Sequence, residues 1–530
     1  MSNNIPMIKS PESVEPHPCR CAELEAQVVA LQARVHWFEE QIRLAQHRRF
    51  ASSSERSDTV QLSLFNEAEA ITEGSADDGP EETITYPRKK KTRGQRDLAL
   101  KNFPVDRIEY RLSAEEQSCA ACAGPLHEMG QEIRRELKVI PAEVRVVEHV
   151  RYTYSCRHCE REALTTPIVT APMPHPAHPG SLASASLLAD VLHQKFTLAL
   201  PLYRQAQEWA RLGVPLSRQT LANWVVFAAQ TWLEPLYREL HRHLLQRDIL
   251  QADETTVQVL HEEGRDAKTT SYMWLYRTGQ EQPAIVLYEY QPTRGGQHPR
   301  TFLAGFQGYL NVDGYAGYHG LPDVVLAGCW AHARRYWDEA LQALSKAARD
   351  GPSVAREGLQ FCNRLFEVER TVQDATPDER LRARRARSAP IVEAFGRWLK
   401  KQQAVTLPKS GVGRAITYCL NQWEPLQTFL QDGRIAIDNN RSERSIKPFV
   451  IGRKGFLFMN TPSGAKASAM TYSIIETAKE NGLNPRAYLQ YLFEELPNRD
   501  LKDPTTWEAV LPWSDQLPIG VKSPASSQAT

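Results

Sequence analysis

Three strand-like runs crowd into 42 residues (290 − 249 + 1), at Ile249 to Leu260, Tyr272 to Arg277 and Ala284 to Tyr290. The links between them are too short for helical crossovers, so the runs are expected to pair as an antiparallel meander. From there the pattern changes. A helix-capable stretch covers about 300–306, and a strand runs from Gly308 to Asp313. A second strand spans Val324 to Ala327, and a helix follows from about 331 to 348. Three meandering strands followed by alternating helix and strand constrain the topology to a mixed sheet, with the first strand central and the fourth beside it.

That order is the order of a ribonuclease-H-like sheet, and it gives meaning to three acidic residues. Asp253 lies on the first strand, Asp313 ends the fourth, and the expected pairing sets them side by side. Glu443 follows 130 residues later (443 − 313), in the helix-compatible stretch Asp438-Asn439-Asn440-Arg441-Ser442-Glu443-Arg444. Two carboxylates at strand ends and a third on a later helix can converge on a pair of hard divalent cations, Mg2+ or Mn2+. The expected chemistry is phosphodiester processing. Residues 350–432 are helix-rich and read as an insertion ahead of the Glu443 helix. Their cluster Arg382, Arg384, Arg385 and Arg387 suits a DNA contact or a solvated helix face equally.

A chain of 530 residues is too long for one core. Its net charge of +1 rules out a simple polybasic coat but not local basic patches. No apolar run reaches the roughly 18 to 20 residues of a membrane span, and Met1 to Cys21 lacks a signal-peptide apolar region. The expected location is the cytoplasm, at the nucleoid, without a membrane partner. Nine cysteines, an odd number, favour thiols or metal ligands over disulfides.

Upstream of the sheet, apolar residues recur at Leu24, Val28, Leu31, Val35, Phe38 and Ile42 in alternating steps of four and three. That is a heptad seam, expected to form a short coiled coil, with a helix packed on its own protein as the other reading. A polar linker follows and ends in Arg88-Lys89-Lys90-Lys91, expected to track phosphates. Cys119-x2-Cys122 and Cys156-x2-Cys159 are spaced to close one four-thiolate zinc site, with strand-like residues Lys138 to Ile140 and Val144 to Val147 as a hairpin between the pairs. Next come three helical patterns, at Leu187 to Phe196, Pro201 to Leu212 and Arg218 to about 229. The turn Gly213-Val214-Pro215-Leu216 and the N-cap Ser217 separate the last two. Helix-turn-helix geometry would make Arg218, Gln219 and Asn223 groove-facing candidates.

Several motifs together resemble the insertion-sequence-66 family of bacterial transposases, within the DDE group. They are Ala252-Asp253-Glu254-Thr255-Thr256, Val312-Asp313-Gly314-Tyr315-Ala316-Gly317-Tyr318, Gly328-Cys329-Trp330-Ala331-His332-Ala333-Arg334-Arg335, Asp438-Asn439-Asn440 with Glu443-Arg444, and Ile451-Gly452-Arg453-Lys454. Glu476 to Gly482 and Asn484-Pro485 match too, while Phe456 stands where Trp is expected. The resemblance implies that Asp253, Asp313 and Glu443 are the catalytic trio, holding two Mg2+ (or Mn2+) ions that serve strand cleavage and strand transfer on double-stranded transposon ends and target. It also implies a multimer bridging two ends and small accessory proteins of the same element. Further DNA contacts are expected at Arg444 and Lys447 beside Glu443, and at Arg453 and Lys454, which are expected to follow a strand. Glu254 is expected to face away from the metals, Asp438 to cap the Glu443 helix, and His332 to approach the phosphate or to pack.

The organisation expected is a multidomain α/β protein with α-rich parts. It comprises an N-terminal helix or short coiled coil (1–50), a disordered linker with its basic arm (51–100), a four-cysteine module with one structural Zn2+ (101–170) and a helix-turn-helix-like helical domain (181–245). A ribonuclease-H-like catalytic core follows in two parts (246–349 and 433–480), split by the helical insertion (350–432), and then a C-terminal segment with a disordered tail (481–530). Alternative readings are a nuclease or resolvase on the same sheet, and a DNA-binding derivative without catalysis.

Overall fold

The computed structural model describes residues 27, 28, 31, 34, 35, 37–43, 144–155 and 168–523. They divide into two compact units, one of Met1–Ser53 with Pro172–Thr530 and one of Ser54–Ala171. In the smaller unit, β1 (Thr153–Ser155) pairs antiparallel with β2 (Ile168–Thr170), and Arg151 donates to the Ala171 carbonyl at 2.7 Å. The expected strand at Val144 to Val147 is not one. Val146 is 91 % exposed, so the alternation lines no buried face. The four zinc-type cysteines, the basic arm Arg88 to Lys91 and the linker lie outside the described residues.

The larger unit begins, after the N-terminal helix, with α1 (Ala185–Phe196) and α2 (Leu202–Arg211). A turn at Gly213, whose φ of +84° suits glycine, leads to α3 (Arg218–Ala228). Ser217 caps α3 as expected, its hydroxyl accepting the Thr220 N–H at 3.0 Å. The helix does not stop near Ala229. A π-turn (Ala229–Leu233) carries it into α4 (Glu234–Leu245), and one buried stripe runs through Leu221, Trp224, Ala228, Leu233, Leu236, Leu240 and Leu244.

The sheet consists of β3 (Ile249–Gln258), β4 (Thr270–Thr278), β5 (Val286–Gln291), β6 (Gly308–Val312) and β7 (Val324–Gly328), with α5 (Gln297–Phe302) before β6. Its spatial order is β5-β4-β3-β6-β7. The first three strands are antiparallel neighbours, and β6 and β7 run parallel to β3. The meander and the placement of the fourth strand beside the first are as the sequence order predicts. Gly308 (φ +149°) permits the close start of β6, because a Cβ there would run into the Asp248 backbone.

Beyond β7, α6 (Trp330–Gln342) ends earlier than expected. Ser345 caps a separate short helix, α7 (Lys346–Asp350). The insertion continues with α8 (Val354–Thr371), α9 (Pro377–Ala383), α10 (Ala389–Gln403), α11 (Gly411–Asn421) and α12 (Trp423–Gln427). Then come α13 (Asn440–Phe456), α14 (Pro462–Glu480), α15 (Pro485–Glu495) and α16 (Pro504–Val510). Arg453 and Lys454 therefore do not follow a strand but lie in the last turn of the Glu443 helix. The apolar run Phe449-Val450-Ile451 suggests a strand, yet the buried residues Ile446, Phe449 and Gly452 recur every third position, which is a helix face. Pro448 sits inside that helix.

Strand alternation feeds two cores. Leu250, Ala252, Leu310 and Val312 point into one, shared with α1, α3, α4, α14 and α15. Ile249 and Ala327 join the other, where Trp330 and Trp337 of α6 meet Phe395 and Trp398 of α10. Within the arginine cluster of the insertion, Arg384 is neither solvated nor available to DNA. It is 1 % exposed, forks onto Glu369 through two 2.8 Å bonds, and donates to the carbonyls of Phe429, Asp432 and Ile435. Arg382, Arg385 and Arg387 are exposed.

The N-terminal helix docks on this insertion and on the end of α6 through polar groups. Trp37 donates to the Lys409 carbonyl, Glu40 accepts the Gly411 N–H, and Arg43 donates to the Ala343 carbonyl, at 3.1, 3.1 and 2.6 Å. Its heptad seam faces outward, with Val28, Leu31, Val35, Phe38 and Ile42 each 51–58 % exposed. The seam is therefore not the face that packs on its own chain. Among the described residues, no helix is long and apolar enough to cross a membrane.

One sheet carboxyl makes the fold pH-sensitive. Burial pushes Glu289 of β5 up to about 7, against the partial relief of a 2.7 Å bond from Gln291. A carboxyl that binds its proton more tightly when folded favours the native state at low pH, and that advantage fades between about pH 4.5 and about pH 7. Glu289→Gln should therefore raise the melting temperature at about pH 8 and leave it nearly unchanged at about pH 5, a difference worth at most about 3 kcal/mol. Thermal melts at the two pH values check this, and equal shifts at both would refute it.

Candidate active site

Strand parity assembles the first part of the site. Gln251 of β3 is in register with Asn311 of β6, and two residues on from each stand Asp253 and Asp313. Residues two apart share a face, so both aspartates lie on the side away from Leu250, Ala252, Leu310 and Val312. Burial, then the charge of Glu254, then that of Asp313, push the Asp253 carboxyl well above the usual range, and Glu443 adds to this. Asp253 accepts the Glu254 N–H at 2.8 Å. Asp313, just past the strand, accepts the Tyr315 N–H at 3.0 Å, and its carbonyl takes the Tyr418 hydroxyl of α11 at 2.8 Å.

Glu443 arrives by a stitched approach. Asn311 donates to the Ala436 carbonyl at 2.9 Å, and the Trp330 N–H to that of Ile437 at 3.0 Å. The fully buried Asn439 donates its side-chain amide to the Ala252 carbonyl at 2.9 Å, one residue before Asp253. Ser442 in turn donates to the Asn439 side-chain oxygen at 2.8 Å. From β4, the buried Arg277 reaches Ser445 and the Arg441 carbonyl and forks onto Glu480 of α14 at 3.2 and 3.1 Å. The start of α13 is thus tied to three strands and a second helix. Asp438 is not the cap residue. Asn439 occupies that position, while Asp438 accepts both the backbone N–H and the side-chain amide of Asn440, at 3.1 and 2.9 Å.

Glu443 sits in the first turn of α13, 3.7 Å from His332 Nε2 and 3.6 Å from Arg335 Nη2, both on α6. His332 is thus beside the carboxylate rather than packed away. Among the described residues, no three His, Cys, Asp or Glu side chains are drawn together closely enough to hold an ion. Asp253, Asp313 and Glu443 are neighbours by charge, with Glu443 leaning toward the cations of α6. Glu254 lies on the other strand face, as its parity predicts, where it takes the Tyr318 hydroxyl at 2.7 Å and the Arg294 guanidinium at 2.8 Å. Arg294 also covers the Tyr315 ring, 3.8 Å from its centroid.

The expected DNA-contacting residues fall into two groups. Arg218, Gln219 and Asn223 are exposed on α3, opposite its buried stripe, with Gln219 donating to Asn223 at 2.8 Å. On α13, Lys447 and Lys454 stand four and eleven positions after Glu443, which places all three on one helix face. Arg444 is exposed beside them. Arg453 turns instead to β3, donating to the hydroxyls of Thr255 and Thr256 at 3.3 and 3.0 Å.

Sequence reasoning does not single out Asn311, Asn439 or Arg277 for a role. For two of them a signal was present. An asparagine inside the apolar strand run before Asp313, and an arginine closing the apolar run of β4, are polar groups whose burial requires partners.

Comparison with known proteins agrees with the motifs. Residues 180–467, which are 288 of the 530, match the model of the transposase IS66 family. Residues 116–160, which include the four paired cysteines, match the zinc-finger binding domain of transposase IS66. Residues 473–513 match the IS66 C-terminal element, and 37–108 match the family described as Transposase C of IS166 homeodomain. Two uncharacterized proteins of Sinorhizobium fredii (strain NBRC 101917 / NGR234) are similar along most of their length. For y4hP the identity is 31 % over 434 residues, covering 78 % of this chain and 76 % of that protein. For y4jD it is 30 % over 475 residues, covering 86 % and 89 %. The chain belongs to the IS66 family of transposases.

Proposed function

We propose that this chain cuts and joins DNA at the ends of its insertion sequence, on a ribonuclease-H-like sheet, with Asp253, Asp313 and Glu443 as the catalytic carboxylates. One observation carries the reading. Two aspartates follow paired positions on adjacent parallel strands, and the helix bearing Glu443 is hydrogen-bonded to the residue before the first of them. The donor chemistry fits Mg2+ or Mn2+, because all three groups offer hard carboxylate oxygens. Asp253 also fits, since the negative charges around its buried carboxyl are what a cation there would offset. Two such ions would neutralise the phosphate oxygens and lower the pKa of a bound water.

The chain's own groups do the rest. Arg335 and His332 on α6 face Glu443 and are placed to hold a phosphate oxygen beside it. Lys447 and Lys454 extend the cationic face along α13 toward the DNA backbone. Recognition of the ends is assigned to the exposed start of α3, the basic arm Arg88 to Lys91 and the four-cysteine module, with Cys119, Cys122, Cys156 and Cys159 binding one structural Zn2+. The outward heptad seam of the N-terminal helix is assigned to self-association, which would bring two ends together.

Asp253→Asn, Asp313→Asn and Glu443→Gln should each slow cleavage of terminal-repeat DNA about a hundredfold or more while leaving its binding intact. Cleavage at the wild-type rate in all three would remove the trio from the chemistry. A wild-type protein that binds but never cuts would point to a derivative without catalysis, and cutting without preference for the repeat would point to a general nuclease.

The metal assignment predicts one zinc per chain by elemental analysis of the purified protein, lost on Cys119→Ser or Cys156→Ser. Zinc retained in both variants would disprove the four-thiolate site. For the seam, Leu31→Glu with Val35→Glu should shift sedimentation from an oligomer to a monomer, since both residues point away from the insertion. An unchanged oligomer would place the interface elsewhere.

A further inference from the structure

Beyond the carboxylates, β3 continues into a groove of about 420 Å³ lined by Thr256, Gln258, Lys268, Thr269, Arg453 and Leu457. Its floor begins at Thr256, about 10 Å along the strand from Asp253, and reaches Gln258 at about 17 Å. Both side chains turn to the Glu254 face, and Arg453 joins that face to the Asp253 face by bonding Thr256 and Thr255. Its cations are Lys268 and Arg453, and among the described residues no carboxylate is paired with either. Thr256, whose hydroxyl accepts from Arg453, and Thr269 line it as well. Guanidinium, ammonium and hydroxyl groups along an open groove are the donors that bind phosphodiester oxygens.

Leu457 sits at the edge of this groove in a conformation that a leucine rarely adopts. Its φ is +64° and its ψ −53°, and the Phe458 N–H bonds back to the Phe456 carbonyl at 2.8 Å, closing a strained three-residue turn. The turn is clamped on both sides. Leu457 N–H reaches the Arg453 carbonyl at 2.7 Å, and Met459 bridges to the end of β3 through the Gln258 carbonyl at 2.9 Å and the Leu260 N–H at 3.0 Å. This clamp holds an apolar side chain out in water. Leu457 is 67 % exposed, and Phe458 beside it 46 %. Strain and apolar exposure both oppose folding, so the tip needs an occupant that accepts a rigid apolar wedge beside a cation-lined groove. A base stack flanked by phosphates is such an occupant.

We propose that this groove seats the DNA next to the scissile phosphate and that Leu457 is a wedge that parts the base stack there. At 3.4 Å per step, the distances along β3 place the opened step about three to five nucleotides from the cut. The inference rests on the function proposed above, and it names a subsite and a distortion that the function alone does not require. Parting the stack would free the strand to bend into the carboxylates, whereas an undistorted duplex is stiff over so short a length.

The test uses the full-length protein and a duplex carrying its own terminal repeat, with 2-aminopurine at the third to fifth nucleotides from the cut. Leu457→Gly relieves the backbone strain, so its melting temperature guards against a folding artefact, and Leu457→Met keeps a long apolar side chain. The fluorescence of uncut DNA should rise on binding wild type and Leu457→Met, and stay flat with Leu457→Gly. Leu457→Gly should cleave the paired duplex at least about tenfold more slowly, and mismatches at the same steps should restore its rate. Wild-type fluorescence and rate in Leu457→Gly would overturn the wedge, and so would a slow rate that mismatches do not rescue. Because fluorescence is read without cleavage, a failure of the catalytic assignment would leave this result standing on its own.

Discussion

The parallel pairing of β3 with β6 is the constraint on which the candidate site depends. Each strand carries an aspartate two positions beyond a registered pair, and a shift of one residue would turn one aspartate into the apolar core. The register is held by buried alternation on one face, through Leu250, Ala252, Leu310 and Val312, and by the close approach that only glycine allows at position 308. The face that carries the two aspartates is thus fixed by residues that do not line it. The third carboxylate depends on the same register, because Asn439 bonds to the carbonyl of Ala252 and Asn311 to that of Ala436.

Gathering acidic groups this way has an electrostatic cost, and the surroundings offset it unevenly. Glu254 accepts from Arg294 and Tyr318 on the far face, though burial still holds its carboxyl above the usual range, and the buried Arg277 forks onto the partly exposed Glu480 behind α13. Among the described residues no cation is paired with Asp253, and its carboxyl is held well above the ordinary range by burial and by the acids around it. Glu254 and Asp438 share the upward shift, and perturbed carboxyls clustered in this way recur at functional sites. Glu443, whose helix is tied to the sheet, also lies 3.6 Å from Arg335 and 3.7 Å from His332 on α6, so sheet and helix together set where the third carboxylate rests.

Much of this was legible in the sequence, for identifiable reasons. The meander and its alternating sequel follow from link lengths and period-two patterning, and Ser217 as a helix cap follows from local chemistry. What was not legible depended on burial that pattern does not reveal. Phe449-Val450-Ile451 is apolar enough for a strand, yet only the third-position spacing of Ile446, Phe449 and Gly452 shows it to be one side of a 17-residue helix. Arg384 looked like part of a basic surface but is a buried hub for three carbonyls and Glu369, a role that its neighbours Arg382, Arg385 and Arg387 do not share. The apolar residues of the N-terminal helix recur at heptad spacing, but a periodicity cannot say which face meets the rest of the chain. Here the polar face does, through Trp37, Glu40 and Arg43.

That inversion bears on how the parts cooperate. The insertion that receives Trp37 and Glu40 also sends Tyr418 to the Asp313 carbonyl and packs its aromatic core on α6, whose end receives Arg43. One helical block therefore touches the N-terminal helix, the aspartate at the end of β6 and the helix carrying His332 and Arg335. Packed cores transmit displacement because they are dense and close-fitting. A load on the outward seam would reach the insertion through two hydrogen bonds and α6 through a third, and the insertion reaches the carboxylates through Tyr418 and α6. The distant third acid and the long insertion before it then belong to one arrangement. The insertion separates Glu443 from the aspartates in sequence, and it supplies the surface through which the N-terminal helix is joined to them.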